Sequence, residues 1–147
     1  MHSKFMQQCF NLAKEAVNNG NHPFAALLVD NDKVILTAQN TVNSDRDFTR
    51  HAEMNLLHKA AQKYSAAQLS SFTLYTSTEP CMMCSGAIYW SGVCRVVFGC
   101  SASALQEITG DMFLTSCRDL LPEEAIEIVG PVDESIGKET HLNFWKI

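Results

Sequence analysis

The chain has 147 residues, a formal net charge of −5, and 18% charged against 46% hydrophobic residues, the balance of one globular domain (1–147) with room for a sizeable core. The acidic balance argues against a surface built to hold a nucleic-acid backbone, and no apolar run approaches membrane-spanning length. Six cysteines could form a disulfide framework, but residues 1–10 lack the apolar stretch of a secretory leader, so reduced thiols and a cytoplasmic location are expected.

Phe5, Cys9, Leu12, Ala13, Ala16 and Val17 recur at helical spacing before Asn19-Gly20, which predicts an amphipathic helix lying on a sheet. After His22-Pro23, residues 24–29 read as a buried strand, Asn31-Asp32 as a turn, and 34–38 as the antiparallel return. Residues 40–49 are polar and aperiodic, a loop. From Arg50 the pattern turns helical, with Leu56, Leu57, Ala60, Ala61 and Tyr64 inward and His51 and Glu53 in the first turn. A link over 65–71 leads to a strand over 72–77, a helix over 81–91 and a strand over 93–99, a succession that implies a parallel crossover. A short helix over 101–107, an irregular stretch to 121, a strand over 126–129 and a final helix marked by Val132, Ile136, Thr140 and Phe144 and ending in Trp145 complete the chain. The result is an α/β domain, a five-stranded mixed sheet between two layers of helices. Cys9, Cys94, Cys100 and Cys117 sit in apolar surroundings and read as small core residues.

Two stretches concentrate chemistry: His51-Ala52-Glu53 and Pro80-Cys81-Met82-Met83-Cys84. At the start of a helix Cys81 and Cys84 share one face, and the positive end of the helix dipole favours thiolate. Two thiolates and one imidazole make three ligands suited to zinc, and three protein ligands with a place left for water make a catalytic site. Glu53 lies beside such a metal rather than on it, where a carboxylate can move protons between water and a leaving amine. Two alternatives stand against this. A structural zinc knot, the basis of a non-catalytic interaction module, needs a fourth protein ligand such as Cys100 or His58. A redox Cys-x-x-Cys pair leaves His51 and Glu53 without a role.

His-x-Glu followed by Pro-Cys-x-x-Cys is the signature of zinc nucleobase deaminases. With these motifs the chain resembles the cytidine deaminase-like superfamily. Leu74-Tyr75-Thr76-Ser77 and Gly86-Ala87-Ile88-Tyr89-Trp90 are most similar to its guanine deaminase and nucleoside deaminase branch. The resemblance implies the three-layer α/β/α cytidine deaminase-like fold, bound zinc, hydrolytic release of ammonia from a base or nucleoside, and a homodimer. Guanine is the first expectation. Adenosine in transfer RNA follows, since those deaminases resemble the chain around both motifs, and cytosine or cytidine comes third.

The resemblance also implies site residues. Phe24 would pack on the base, Asn40 would hydrogen-bond it from a loop lying over the substrate, and Ala52 and the backbone N–H of Cys81 would add contacts. Core packing would equally account for Phe24, and a turn for Asn40. Asp111 and Glu107 are candidates for a second acid that reads the amine of a purine; both would otherwise be surface acids. Trp90 and Trp145 either line the pocket mouth or pack in the interior. His2, His22, His58 and His141 receive no role. The transfer-RNA deaminases carry a basic terminal helix, whereas here Asp133, Glu134 and Glu139 stand against Lys138 and Lys146.

Overall fold

Helix α1 (His2–Asn18) buries Phe5, Met6, Cys9, Phe10, Ala13 and Ala16 along one stripe, and the chain turns away at Gly20 with φ +88°. The fold is that of a computed structural model describing residues 1–145; Lys146, counted above in the terminal helix, lies outside the described residues. Strands β1 (Ala25–Asp30) and β2 (Lys33–Gln39) form a hairpin, and its turn residues Asn31 and Asp32 take positive φ of 47° and 65°, which suits the twist of paired strands.

The expected loop after β2 contains a single helical turn, α2 (Val42–Asp45), because Asn40 Oδ1 accepts the Val42 N–H at 3.0 Å and starts the turn locally. Helix α3 (Ala52–Lys63) follows. The expected link after it holds a further turn, α4 (Ala66–Leu69), closed by a reciprocal capping box between Ser65 and Gln68. Strand β3 (Thr73–Thr78), helix α5 (Met82–Ser91), strand β4 (Arg95–Cys100) and helix α6 (Ala102–Thr109) come next. A 3₁₀ turn (Cys117–Asp119), strand β5 (Glu127–Val129) and helix α7 (Glu134–Phe144) complete the described chain.

The sheet order is β2-β1-β3-β4-β5, with β1 antiparallel to β2 and β3, and β3, β4 and β5 parallel. Alternation along the strands divides the core. Ala26, Leu28, Leu74, Val96 and Phe98 meet Leu56 and Ala60 of α3 and Ile88 of α5. Leu27, Val29, Tyr75 and Val97 meet Phe5, Met6, Cys9 and Phe10 of α1. β4 passes so close to α1 that a Cβ on Gly99 would meet the Phe10 ring at 2.6 Å and the Ser77 carbonyl oxygen at 2.8 Å.

All six cysteines are unpaired; Cys9, Cys100 and Cys117 are buried, but Cys94, expected inside, is exposed just after the α5 turn. Ala61, also expected inside, is exposed, since α3 turns only Leu56, Leu57 and Ala60 of its second half inward. Among the described residues no helix is long and apolar enough to cross a membrane.

Candidate active site

Cys81 is the N-cap of α5 and Cys84 lies in its first turn, while His51 is the N-cap of α3. Both helices pack on the same sheet face, so the two N-termini converge. His51 Nδ1 lies 3.5 Å from Cys81 Sγ and 3.6 Å from Cys84 Sγ, and the three donor atoms fall within 4.8 Å of one another. Tetrahedral zinc with Zn–S near 2.3 Å and Zn–N near 2.0–2.1 Å requires N···S of about 3.6 Å. The donor set and its spacing fit that ion. Among the described residues neither Cys100 nor His58 joins the group, so the spacing leaves a fourth position without a protein ligand.

The electrostatics of the cluster are uneven. The hydrogen bond from Cys84, with that of His51, holds the Cys81 thiol down at about 4, and its place at a helix N-terminus acts in the same direction. Cys84, which donates to Cys81 and is buried, is pushed up. The bond to Cys81 raises His51. Glu53, in the first turn of α3, is 5% exposed, and burial, then the nearby Cys81 charge, pushes its carboxyl up to about 7.

A cavity of about 420 Å³ opens beside the cluster. His51, Glu53 and Cys81 belong to its lining, with apolar surface from Phe24, Leu105, Leu114 and Trp145 and polar groups from Thr78, Glu79, Thr109 and Asp111. Phe24 also packs on the His141 ring, with centroids 5.1 Å apart. Asn40 is 1% exposed, and its Oδ1 is occupied by Val42; neither it nor the fully buried Ala52 is among the lining residues. Asp111 lines the cavity from the exposed turn after α6, its Oδ1 accepting the Phe113 N–H at 2.9 Å.

Two expectations are corrected. Glu107 is exposed on α6 away from the lining, because α6 turns Ala102, Ala104 and Leu105 inward and Glu107 falls on the opposite face. Trp90 is neither buried nor in the lining: it is 83% exposed and stacks edge-on against Tyr89, since α5 buries Cys84, Ser85 and Ile88 instead.

Sequence reasoning also missed residues that the fold brings to the cavity. Glu79 accepts hydrogen bonds from Ala102 N–H (2.8 Å), Ser116 Oγ–H (2.6 Å) and Cys117 N–H (2.7 Å). His141 stands behind Thr78. The signal for His141 was a polar residue on the buried face of α7, beside Gly137 and Thr140.

An α/β sheet domain that brings an imidazole and two cysteine sulfurs together at the N-termini of two helices carries the donor set of a zinc-binding domain. Residues 1–100 match the family described as the cytidine and deoxycytidylate deaminase zinc-binding region, and the chain belongs to that family, whose reaction is hydrolytic deamination. Its relatives act on different bases. A protein of Schizosaccharomyces pombe named "Probable cytosine deaminase" is 39% identical, over 96% of this chain and 90% of that protein. A guanine deaminase of Bacillus subtilis is 44% identical over 61% of this chain and 58% of its own length. A tRNA-specific adenosine deaminase of Buchnera aphidicola is 40% identical over 71% of this chain and 70% of its own length. Solved structures share the fold. One in complex with 2,6-diaminopurine has a TM-score of 0.81 at 23% identity, covering 95% of this chain and 78% of that one. The Bacillus subtilis guanine deaminase structure has a TM-score of 0.68 at 29% identity, covering 99% and 96%.

Proposed function

We propose that the chain deaminates a free purine base or its nucleoside, guanine first, replacing the exocyclic amine with a carbonyl and releasing ammonia. The observation that carries this reading is a buried carboxylate, Glu53, lining the same cavity as His51 and Cys81. His51, Cys81 and Cys84 hold the metal in this reading. When bound there, zinc supplies the Lewis acidity that makes water nucleophilic near neutral pH. Glu53 takes one proton from the attacking water and passes it to the ring nitrogen, then takes the second from the added hydroxyl and passes it to the departing amine. The backbone N–H of Cys81, at the N-terminus of α5, donates to the oxygen being added to the reacting carbon.

Phe24 and Trp145 offer ring faces to a flat base. Asp111 accepts from a purine amine. Asn40 and Ala52, buried and outside the cavity lining, make no contact with the base in this reading. A neighbour of the same fold solved with 2,6-diaminopurine supports a small purine as the ligand class.

One observation favours a second reading, cytosine. The Schizosaccharomyces pombe relative aligns over 96% of this chain, and so includes residues after 100 that line the cavity, whereas the guanine deaminase aligns over 61%. The test is ammonia release by zinc-loaded protein from guanine, guanosine, adenine, adenosine, cytosine and cytidine. Guanine should be turned over fastest. Turnover of cytosine alone would establish the second reading, and silence on all six with conversion of an adenosine-bearing anticodon stem-loop would establish a transfer-RNA substrate.

We read the chain as one domain that works in the cytoplasm as a homodimer. Trp90, 83% exposed, and Tyr89, 46% exposed, lie on α5, and a groove lined by Met82, Tyr89 and Leu120 gives a second copy an apolar surface to cover. Sedimentation of the zinc-loaded protein should give twice the chain mass, and Trp90→Asp should shift it toward the monomer.

A further inference from the structure

Thr78 ends β3 just before the Glu79-Pro80-Cys81 turn; it is 3% exposed and belongs to the cavity lining. Its Oγ1 lies 2.7 Å from His141 Nε2, and His141 Nδ1 lies 3.0 Å from Trp145 Nε1. An indole N–H only donates. Nδ1 of His141 therefore receives that hydrogen and carries none of its own. The imidazole is 1% exposed, and burial holds its pKa down at about 4, so the ring is neutral. A neutral imidazole with no hydrogen on Nδ1 carries it on Nε2, and that N–H donates to Thr78 Oγ1. The hydroxyl's own hydrogen is left free, and among the described residues nothing accepts it.

We infer that Thr78 is a substrate-recognition residue. Its hydroxyl donates to a neutral acceptor of the bound base, a carbonyl oxygen or an unprotonated ring nitrogen, and His141 and Trp145 are the positioning pair that fixes the direction of donation. The inference deepens the proposed function and rests on its reading of the cavity as a nucleobase site. An isolated hydroxyl both donates and accepts and so discriminates poorly. With one lone pair of the oxygen held by Nε2–H and no protein acceptor for the O–H, the hydrogen turned to the cavity is the group's unmatched function, and a base presenting an acceptor at that edge is favoured over one presenting N–H. Phe24 packs against the same imidazole, so the ring proposed to stack on the base also keeps His141 in place.

Three variants test this. Thr78→Val removes the hydroxyl, Thr78→Ser keeps it, and Trp145→Phe keeps an aromatic ring while releasing Nδ1. The kinetic probe is guanine, or, where guanine is inert, the base that the ammonia screen selects. Thr78→Val should raise KM about 10-fold with kcat within about twofold, as expected for one neutral hydrogen bond made equally in ground and transition states. Thr78→Ser should restore the wild-type KM, and Trp145→Phe should raise it by less than Thr78→Val does. Nitrogen NMR of His141 in zinc-loaded, base-free protein should show hydrogen on Nε2 alone in the wild type and a mixture of tautomers in Trp145→Phe.

Wild-type KM in Thr78→Val, or hydrogen on Nδ1 in the wild-type spectrum, overturns the inference. Where Thr78→Val does not fold, Trp145→Phe decides: an unchanged KM together with an unchanged tautomer overturns it equally. The spectrum does not depend on which base is the substrate. An error in substrate class therefore appears in the ammonia screen and leaves the His141 result intact.

Discussion

Glu53 occupies the first turn of α3, two residues after His51, 5% exposed and beside the thiolates without belonging to the donor cluster. In the proposed reading it carries protons and does not hold the metal, so the two roles separate on substitution. Glu53→Ala should retain about one zinc per chain by metal analysis and lose at least ~10²-fold in kcat, the contribution of a positioned acid–base group. Cys81→Ala should lose the zinc itself. His141 makes a prediction of another kind. Its pKa stands at about 4 in the fold against 6.5 in an open chain, so between those values the unfolded state binds the extra proton. A base lowered in this way contributes stability that is complete above pH 6.5 and lost as pH falls toward 4, by up to about 3 kcal/mol at 1.36 kcal/mol per unit. Urea unfolding at neutral pH and near pH 4.5 should show a stability loss in wild type that exceeds the loss in His141→Gln. Parallel losses would mean the ring is not held neutral by burial.

The elements around the cavity are joined by Glu79, 8% exposed, whose carboxylate ties the turn before Cys81 to the N-terminus of α6 and to the 3₁₀ turn at Cys117–Asp119. Because Leu105, Thr109, Asp111 and Leu114 lie between those two anchor points, Glu79→Ala should act on stability and on KM together. A loss on the order of 3 kcal/mol in urea unfolding is expected when buried donors lose a charged acceptor. An unchanged KM would show that the segment from Thr109 to Ser116 holds its place without Glu79. At Gly99, where a Cβ would meet the Phe10 ring and the Ser77 carbonyl oxygen, Gly99→Ala should cost about 1–3 kcal/mol by overpacking. Most helices and strands were legible in the sequence because their apolar periods match the layers they build. α5 was harder: Gly86-Ala87-Ile88-Tyr89-Trp90 is apolar on all sides, so periodicity could not say that Ile88 is buried and Trp90 exposed. The Glu79 contacts span 23 to 38 residues and the Thr78–His141 contact spans 63, and neither leaves a local trace. The metal cluster was legible because its donors come as spaced motifs. The cavity wall was not, because its residues are gathered by tertiary contacts.

Across the whole molecule, the cluster links the starts of α3 and α5, so ion binding should be coupled to folding. A chelator should lower the melting temperature of zinc-loaded protein, and equal melting with and without metal would argue against the proposed ligands. The molecule's charge bears on substrate class. The chain carries −5 overall, and α7 with its N-cap presents Asp133, Glu134 and Glu139 against Lys138 among the described residues. A neutral base displaces no counterions, so its turnover should change little with ionic strength. A transfer-RNA stem must be held through its phosphates, and roughly 6–10 such contacts would cost about 10³–10⁵ in affinity between ~50 and ~200 mM salt. The acidic surface provides poorly for those contacts, whereas the cavity of about 420 Å³, with Phe24 and Trp145 in its lining, suits one flat base. Guanine and an adenosine-bearing anticodon stem-loop, each assayed across a salt series, separate the two cases. Guanine turnover that stays flat with salt, with the stem-loop inert, is the expected result. Efficient stem-loop conversion that collapses as salt rises, with every free base inert, would move the substrate from small molecules to RNA.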